Sequence, residues 1–276
     1  MTDHEHFQVV LSELGNLVVA LKAHGFVDEV VLIGAQVVAL EQGTRAEELF
    51  ELTTAHGTRL TRGFSFEPDL VLDTDDEQKL DAYPAAFAQC GFKRVHQAGR
   101  PATWSKRVAD VTVDIDLFST ASDDSRPSGM PSLRGVKGRR CHELKLPDNV
   151  SILVPDAITF LSMKLEAKLR IRPEKTKDSF DMLAYVLAVG PESVREQLKT
   201  NKGNVGQELR GLFGVPTAAG VLDVVNAGLP HGTAEERAQV AQFNPTGKRH
   251  EELCRHCHAR GLQRVWIPSP SPGRRS

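Results

Sequence analysis

The amino-acid sequence predicts an α/β (α+β) protein, in which a mixed sheet flanked by helices precedes a helical C-terminal domain. Up to residue 154, apolar residues at helical spacing alternate with short apolar runs, which is typical of helices and strands packed in layers. From Pro155 the helical spacing continues without a further strand pattern, and the closing PSPSPGRRS lacks the apolar residues of a packed core. We therefore expect an α/β domain over residues 1–154, a helical domain over 155–265 and a disordered tail over 266–276.

The composition excludes several classes of protein. A chain of 276 residues can bury a substantial core, and its net charge of −2 provides no global basic field, so contact with nucleic acid requires a local patch. No apolar run approaches the roughly 20 residues of a membrane span, and the N-terminus lacks the pattern of a signal peptide. Four cysteines without a secretory context fit a reducing compartment. We expect a cytoplasmic protein with no membrane partner.

The elements of the α/β part follow from local patterns. The expected helices cover residues 7–21, a segment from residue 36, residues 44–56 and residues 75–89, the last bent or interrupted near Pro84. The expected strands cover residues 29–33, the segment with Glu67 and Asp69 within residues 62–72, and residues 92–97, 102–107 and 111–118, and one or two closing strands are expected over 139–146 and 151–154. Residues 123–138 are rich in Ser, Pro and Gly, which predicts a mobile surface loop.

The helical part begins with a helix over residues 156–171, whose Leu161, Leu165 and Leu169 form an apolar row. A second helix follows over residues 174–189, and three or four shorter helices extend to about residue 260. Since Pro173 separates the first two helices, we expect the chain to turn there.

Two pairs of carboxylates give the clearest chemical signal. Glu67 and Asp69 occur in RGFSFEPDLVL, and Asp114 and Asp116 occur in VTVDIDLF. Alternate residues of a strand project from the same face, and hard cations such as Mg²⁺ bind carboxylate oxygens. We expect the two strands to lie side by side and to form one site for Mg²⁺ (or Mn²⁺) and a nucleotide. The alternative for Asp114 and Asp116 is the solvent face of an antiparallel strand.

Two further motifs have both a functional and a structural interpretation. Gly34 follows a buried strand and opens a helix, where a phosphate can approach the backbone, although many α/β turns contain a glycine. Lys164, Lys168 and Arg172 recur at helical spacing, as either a phosphate-binding row or a solvated face. Cys254-Arg-His-Cys257-His258 resembles half of a zinc site or a haem-attachment motif, but without a partner motif we interpret it as coincidental.

The order of these motifs resembles the AbiEii-type nucleotidyltransferases, which are toxin components of bacterial toxin–antitoxin and phage-defence systems within the polymerase-β-like superfamily. In that family, a strand ending in Gly-Gly or Gly-Ser precedes Arg…Phe-Ser-x-Asp-x-Asp-Leu, a third acidic strand and Lys-x-x-Ala…Arg…Lys-Asp-x-x-Asp. The residues on the acidic motif are Arg62, Phe64, Ser65, Glu67, Asp69 and Leu70, and those on the helical motif are Lys164, Ala167, Arg172, Lys177, Asp178 and Asp181. The resemblance covers roughly residues 28–190.

The resemblance implies a nucleotidyltransferase-like sheet and transfer of a nucleotide from an NTP to an acceptor, with RNA and particularly the tRNA 3′ end as the leading candidate. It implies that Glu67, Asp69 and either Asp114 or Asp116 bind the metal and act in catalysis, and a cognate antitoxin is a possible partner. The nucleotide-binding residues it implies are Gly34, Ala35, Arg62, Ser65, Lys164, Lys168, Arg172, Lys177 and Asp178.

Asp178 and Asp181 are expected to orient the neighbouring basic groups rather than to bind metal. Three positions depart from the family pattern. Glu67 stands where the family has Asp, Pro68 lies between the two carboxylates, and Ala35 replaces Gly or Ser. These departures define the alternative function, that of a catalytically inactive relative which binds nucleotide or RNA.

Overall fold

The fold was described from a computed structural model, in which residues 1–43, 50–53, 59–95, 102–201, 203–215, 218–229, 231–233 and 237 are described. The helices are α1 (Asp3–Ala23), α2 (Ala35–Gln42), α3 (Glu77–Gln89), α4 (Ala157–Glu166), α5 (Lys177–Val189), α6 (Pro191–Thr200), α7 (Val205–Phe213) and α8 (Ala219–Gly228). The strands are β1 (Val30–Ile33), β2 (Phe50–Thr53), β3 (Arg59–Arg62), β4 (Asp69–Leu72), β5 (Lys93–Val95), β6 (Ala102–Val108), β7 (Val111–Ser119), β8 (Cys141–Lys145) and β9 (Ser151–Pro155).

The strands form a seven-stranded mixed sheet in the order β5-β6-β7-β4-β1-β9-β8, and β2 pairs with β3 separately. In the large sheet, β4 is parallel to β7 and β1 to β9, whereas the other neighbouring pairs are antiparallel. The predicted class, a mixed sheet flanked by helices, is confirmed. Among the residues described after β9, none forms a strand, in agreement with the helical second half.

The chain divides into two compact units. The first comprises Met1–Phe50 and Arg62–Met163, and the second comprises the described parts of Glu51–Thr61 and of the chain from Lys164 onward. The first unit contains the seven-stranded sheet, and the second contains α5 to α8 together with most of the β2–β3 pair. The boundary predicted after residue 154 stays a prediction.

Helices and loops cover both faces of the sheet in the first unit. Helix α1 begins with a capping box, in which Thr2 and Glu5 each bond the other's backbone amide, and its apolar row is buried. Tyr83 and Phe87 of α3 contact Trp104 of β6, with ring centroids 5.9 and 4.6 Å apart. The face of the sheet that bears Asp69 also carries an apolar cluster, which consists of Val31, Ile33, Val71 and Val136.

Several local predictions are wrong. Residues 50–53 form a strand instead of part of a helix, because pairing with β3 overrides the local helical preference, and the flanking residues 44–49 and 54–56 lie outside the described residues. Within the predicted surface loop at 123–138, Met130 and Val136 are buried, since these two apolar side chains pack inward despite the Ser- and Gly-rich composition.

Two helices also differ from their predicted form. Helix α3 continues past Pro84, because its buried side chains on either side of the proline keep the helix packed. Helix α4 ends at Glu166 and is followed by a π-helical turn at Ala167–Ile171, so that Leu161 and Leu165 are buried whereas Leu169 is 41% exposed.

Other predictions lie outside the described residues, namely the cysteine–histidine motif at 254–258 and the tail over 266–276. No described helix combines the length and the apolar character needed to cross a membrane.

Candidate active site

The sheet places Asp69 beside Asp116. Strands β4 and β7 run parallel with Asp69 opposite Asp116, so both side chains project from the same face of neighbouring strands, which are about 4.8 Å apart. The backbone amide of Asp116 donates to the carbonyl of Pro68 at 2.9 Å, which fixes the start of β4 against β7. The predicted adjacency of the two acidic strands is therefore present in the structure.

Asp114 and Glu67 lie further from the centre of this pair. Asp114 shares the face of Asp116 but is two residues away along β7, about 7 Å, and it is opposite Ser105 of β6. Glu67 is exposed and precedes the first residue of β4 by two positions. Of the two aspartates on β7, Asp116 is the one in register with Asp69.

Asp116 is oriented by a residue that the sequence motifs do not reveal. Thr103 of β6 is buried and its hydroxyl donates to Asp116 Oδ1 at 2.6 Å. The two residues are opposite each other in the antiparallel β6–β7 pair. A prediction of the strand register would have found Thr103, whereas no motif contains it.

Gly34 has a specific steric role. Its φ is +79°, which L side chains rarely adopt, and a Cβ built on it would lie 2.2 Å from Asp69 Oδ2. The missing side chain therefore leaves room for the carboxylate of Asp69. Because Gly34 precedes α2 directly, this carboxylate lies at the N-terminal end of a helix, where negative charge is stabilised.

The other nucleotide-binding residues predicted in the first unit are Ala35, Ser65 and Arg62. Ala35 is the first residue of α2 and is buried, and the backbone carbonyl of Ser65 accepts a hydrogen bond from Gln36 Nε2 at 3.2 Å. Gln36 is fully buried and is a second residue that motif analysis missed. Arg62 is the last residue of β3, and its side chain lies outside the described part of the structure.

The carboxylates of Asp69 and Asp116 fit a hard cation that takes only one or two ligands from the protein. Mg²⁺ commonly takes one or two carboxylates and completes its shell with phosphate and water, and Asp69 and Asp116 are two adjacent carboxylates of that kind. Within the described residues, no group of three or more His, Cys, Asp or Glu side chains is arranged to hold a metal ion. The structure thus offers a pair of ligands and not a complete protein cage.

Three of the predicted basic residues form ion pairs with aspartates of the second unit, namely Lys164, Lys168 and Arg172. Lys164 is buried, and its Nζ lies 3.1 Å from Asp178 Oδ1 and 2.7 Å from Asp181 Oδ2. Burial lowers the pKa of the Lys164 ammonium, but attraction to Asp181 and Asp178, together with their hydrogen bonds, outweighs burial and leaves the pKa raised. Arg172 donates to both carboxylate oxygens of Asp178, at 2.8 and 3.0 Å.

Lys168 belongs to a second buried arrangement. Its Nζ lies 2.8 Å from Asp223 Oδ2 of α8 and also donates to the carbonyl of Pro173. Ser179 donates to the same oxygen of Asp223 at 2.6 Å. In contrast, the Arg172 side chain is 43% exposed and Lys177, the first residue of α5, is exposed. Asp178 and Asp181 therefore pair with neighbouring basic groups, as predicted: both pair with Lys164, and Asp178 also pairs with Arg172.

Comparisons with known proteins give structural similarity only. No protein-family model matches the sequence, and no curated protein matches it either. The fold is similar to a crystal structure of ANT(2")-Ia in complex with adenylyl-2"-tobramycin, at 9% identity and a TM-score of 0.43, over 67% of this chain and 92% of the other. It is also similar to a solution structure of the antibiotic-resistance factor ANT(2'')-Ia, at 9% identity and a TM-score of 0.42, over 74% of this chain and 98% of the other.

Proposed function

We propose that this protein is a nucleotidyltransferase that transfers a nucleotide from an NTP to an RNA hydroxyl, with the tRNA 3′ end as the leading acceptor. The observation that carries the proposal is the position of Asp69, which is in register with Asp116 and occupies the space left by the missing side chain of Gly34. Two adjacent carboxylates, one of which starts β4 beside a helix N-terminus, suit a metal-bound triphosphate.

In the proposed reaction, Asp69 and Asp116 would hold Mg²⁺ (or Mn²⁺), and the exposed Glu67 would add a third carboxylate. The metal would neutralise the charge that develops on the triphosphate and the attacking oxygen. The acceptor hydroxyl forms a bond to the α-phosphorus as the bond to pyrophosphate breaks, and its proton passes to a carboxylate. Thr103 fixes the direction of Asp116 for this step.

The basic residues of the second unit have two proposed roles. Arg172 and Lys177 are exposed enough to contact the triphosphate or the RNA backbone. Lys164 and Lys168 are buried in ion pairs, so we assign them a positioning role, in which Lys164 and Asp178 together orient the guanidinium of Arg172. Gly34, Ala35, Arg62 and Ser65 remain proposed contributors to nucleotide binding.

The test is transfer of label from each of the four α-labelled NTPs to total tRNA in the presence of Mg²⁺. We expect labelled tRNA with the wild-type protein and none with Asp69→Asn, which keeps the size of the side chain but removes its charge. Asp110→Asn, in the exposed turn between β6 and β7, is the matched control. A parallel reaction contains tobramycin in place of tRNA. Absence of transfer in both reactions with every NTP would overturn the proposal, whereas label on tobramycin but not on tRNA would retain the chemistry and refute the acceptor.

The proposed biological role is that of a toxin whose activity is held in check by a cognate antitoxin. If nucleotide transfer disables tRNA, expression of the wild-type protein in bacteria should arrest growth, and Asp69→Asn should not. Equal growth arrest by the wild type and by Asp69→Asn would show that toxicity does not depend on the carboxylate pair, and it would refute this role.

A second candidate is an inactive relative that binds nucleotide or RNA without transfer. It is favoured by Glu67, which stands where the acidic motif has Asp and lies outside β4 at an exposed position. Calorimetry distinguishes the two functions. NTP binding that requires Mg²⁺ and is weakened by Asp69→Asn supports the enzyme, whereas binding that is independent of metal, without turnover, supports the inactive relative.

A further inference from the structure

The segment that leads into β4 is fixed at three consecutive residues. Phe64 stacks on Phe7 of α1 with ring centroids 4.7 Å apart, and Phe66 stacks on His6 with centroids 4.1 Å apart and planes only 5° from parallel. Between them, the carbonyl of Ser65 is held by Gln36 of α2. Helices α1 and α2 therefore hold this segment together.

The next two residues show what this arrangement achieves. Glu67 is exposed, whereas Pro68 is buried and its carbonyl accepts from the backbone amide of Asp116. A side chain that projects from a segment fixed on both sides loses less conformational entropy on binding a ligand than one on a free loop. Glu67 is thus an exposed carboxylate on a fixed backbone, two residues before Asp69.

The His6 ring is held by packing. Its Nε2 is buried and has no hydrogen-bond partner in the part of the chain that the structure describes, and the same is true of His4 Nδ1, whose ring contacts Phe64 edge-on. The stacked geometry of His6 on Phe66 is one that two aromatic rings adopt for their own interaction. A phenylalanine at position 6 can therefore reproduce the contact, whereas an alanine cannot.

We propose that His6 is a positioning residue for the active site and acts by holding Phe66, and through it Glu67 and the start of β4. This inference rests on the proposed function and assigns to the first turns of α1 a task that none of the sequence motifs includes. A misplacement of reacting groups by about 1 Å costs roughly 100-fold in rate, so partial release of the segment should lower turnover substantially.

The test compares His6→Ala, His6→Phe and His24→Ala. His24 is the matched control, because it caps the other end of α1 and contacts Gln89 instead of the acidic segment. We expect His6→Ala to lower kcat at least about tenfold with little change in the KM for NTP, because the segment still forms but samples several positions. We expect His6→Phe to restore kcat to within about twofold, and His24→Ala to leave it unchanged.

Two measurements do not require activity. Amide hydrogen exchange in residues 63–67 should accelerate in His6→Ala but not in His6→Phe or His24→Ala, and the affinity for Mn²⁺ alone, measured by electron paramagnetic resonance, should fall in the same variant. If His6→Ala does not fold, Phe66→Leu removes the stacking from the other side and serves in its place. Unchanged exchange and Mn²⁺ affinity, or failure of His6→Phe to restore them, would overturn the inference. Lack of nucleotide transfer in the wild type would instead overturn the proposed function, while these two measurements would still test His6.

Discussion

At the scale of single residues, Gly34 illustrates how one missing side chain shapes the site. We expect Gly34→Ala to destabilise the protein in two ways, by about 1–2 kcal/mol from its positive φ and by about 1–3 kcal/mol from the clash with Asp69. Gly43→Ala is a matched control, since Gly43 also has a positive φ but has nothing within 4 Å of its added Cβ. The difference between the two free energies of unfolding, measured in urea, isolates the clash, and equal losses would contradict the described position of Asp69.

Thr103 supports a second prediction at this scale. Thr103→Val keeps the shape of the side chain but removes the donor to Asp116, and loss of such an orienting partner typically costs 10- to 100-fold in metal affinity. We expect Mn²⁺ affinity to fall in that range, with a loss of stability of about 1 kcal/mol. Thr112→Val, on the exposed side of β7, should leave both quantities unchanged, and an equal effect of the two variants would contradict the orienting role.

The carboxylates of the candidate site could be predicted from the sequence because each lies on a strand pattern whose alternation defines a face. Thr103 and the steric role of Gly34 could not, because both depend on strand register. A shift of one residue between β6 and β7 would remove Thr103 from Asp116, and the two-residue turn that fixes this register, Ala109–Asp110, lacks the Asn-Gly or Asp-Gly pair that marks such turns in a sequence.

At the scale of elements, the buried ion pairs of the second unit connect Lys164 to α5. Lys164→Met leaves Asp178 and Asp181 buried without this partner, and removal of one member of a buried pair typically costs about 3–5 kcal/mol. We expect a loss of this size in urea unfolding. Lys199→Met removes an exposed pair with Glu196 and should cost less than about 1 kcal/mol. A small loss in Lys164→Met would show that the two carboxylates find other partners.

The raised pKa of Lys164 also fixes the direction of its pH dependence. The stabilisation is fully present below the ordinary lysine pKa of 10.5 and is lost as pH rises through the higher pKa of the folded state.

A different pair links α2 to the edge strand β8. His142 Nε2 lies 2.7 Å from Glu41, and this hydrogen bond raises the pKa of His142 despite its partial burial. Its stabilisation is therefore present below the ordinary pKa of 6.5 and is lost as pH rises through the raised value. We expect His142→Ala to cost more stability at pH 5.5 than at pH 8.5, and this difference to vanish in a Glu41→Gln background. A loss that does not vary with pH would refute the charged pair.

Element type was predictable wherever the hydrophobic period was long, as in α1 and β7. It failed where tertiary partners decided the outcome. Residues 50–53 pair with β3 against their local preference, and the π-helical turn at Ala167–Ile171 changes the phase that would have buried Leu169. The spacing of apolar residues indicates which face of an element is buried, but it does not indicate where the period of a helix changes.

At the scale of the whole molecule, the path of the chain is the least predictable feature. The segment Glu51–Thr61 belongs to the second unit, although the chain on both sides of it belongs to the first. Sequence order gave no reason to group it with residues more than a hundred positions later. Contacts that are this distant in sequence depend on complementary surfaces, which periodicity does not encode.

The contact between Leu60 and Gly228 tests this grouping. A Cβ on Gly228 would lie 2.9 Å from Leu60 Cβ, so we expect Gly228→Ala to destabilise the protein by about 1–3 kcal/mol. Gly211→Ala, in α7 with nothing within 4 Å, should instead stabilise it by about 0.4–1 kcal/mol. Urea unfolding distinguishes these opposite signs, and a stabilising Gly228→Ala would show that Leu60 does not pack there.

The described parts of Glu51–Thr61 belong to the second unit, and this limits how the protein can be recombined with others. A chimera joined at a single point after residue 163 would contain the helices but not Leu60. The surface beside Gly228 would then lack the side chain that packs against it. Exchange of the second unit as a working module requires two separate insertions into a host gene. Natural shuffling by one crossover should therefore rarely produce a stable chimera of this architecture.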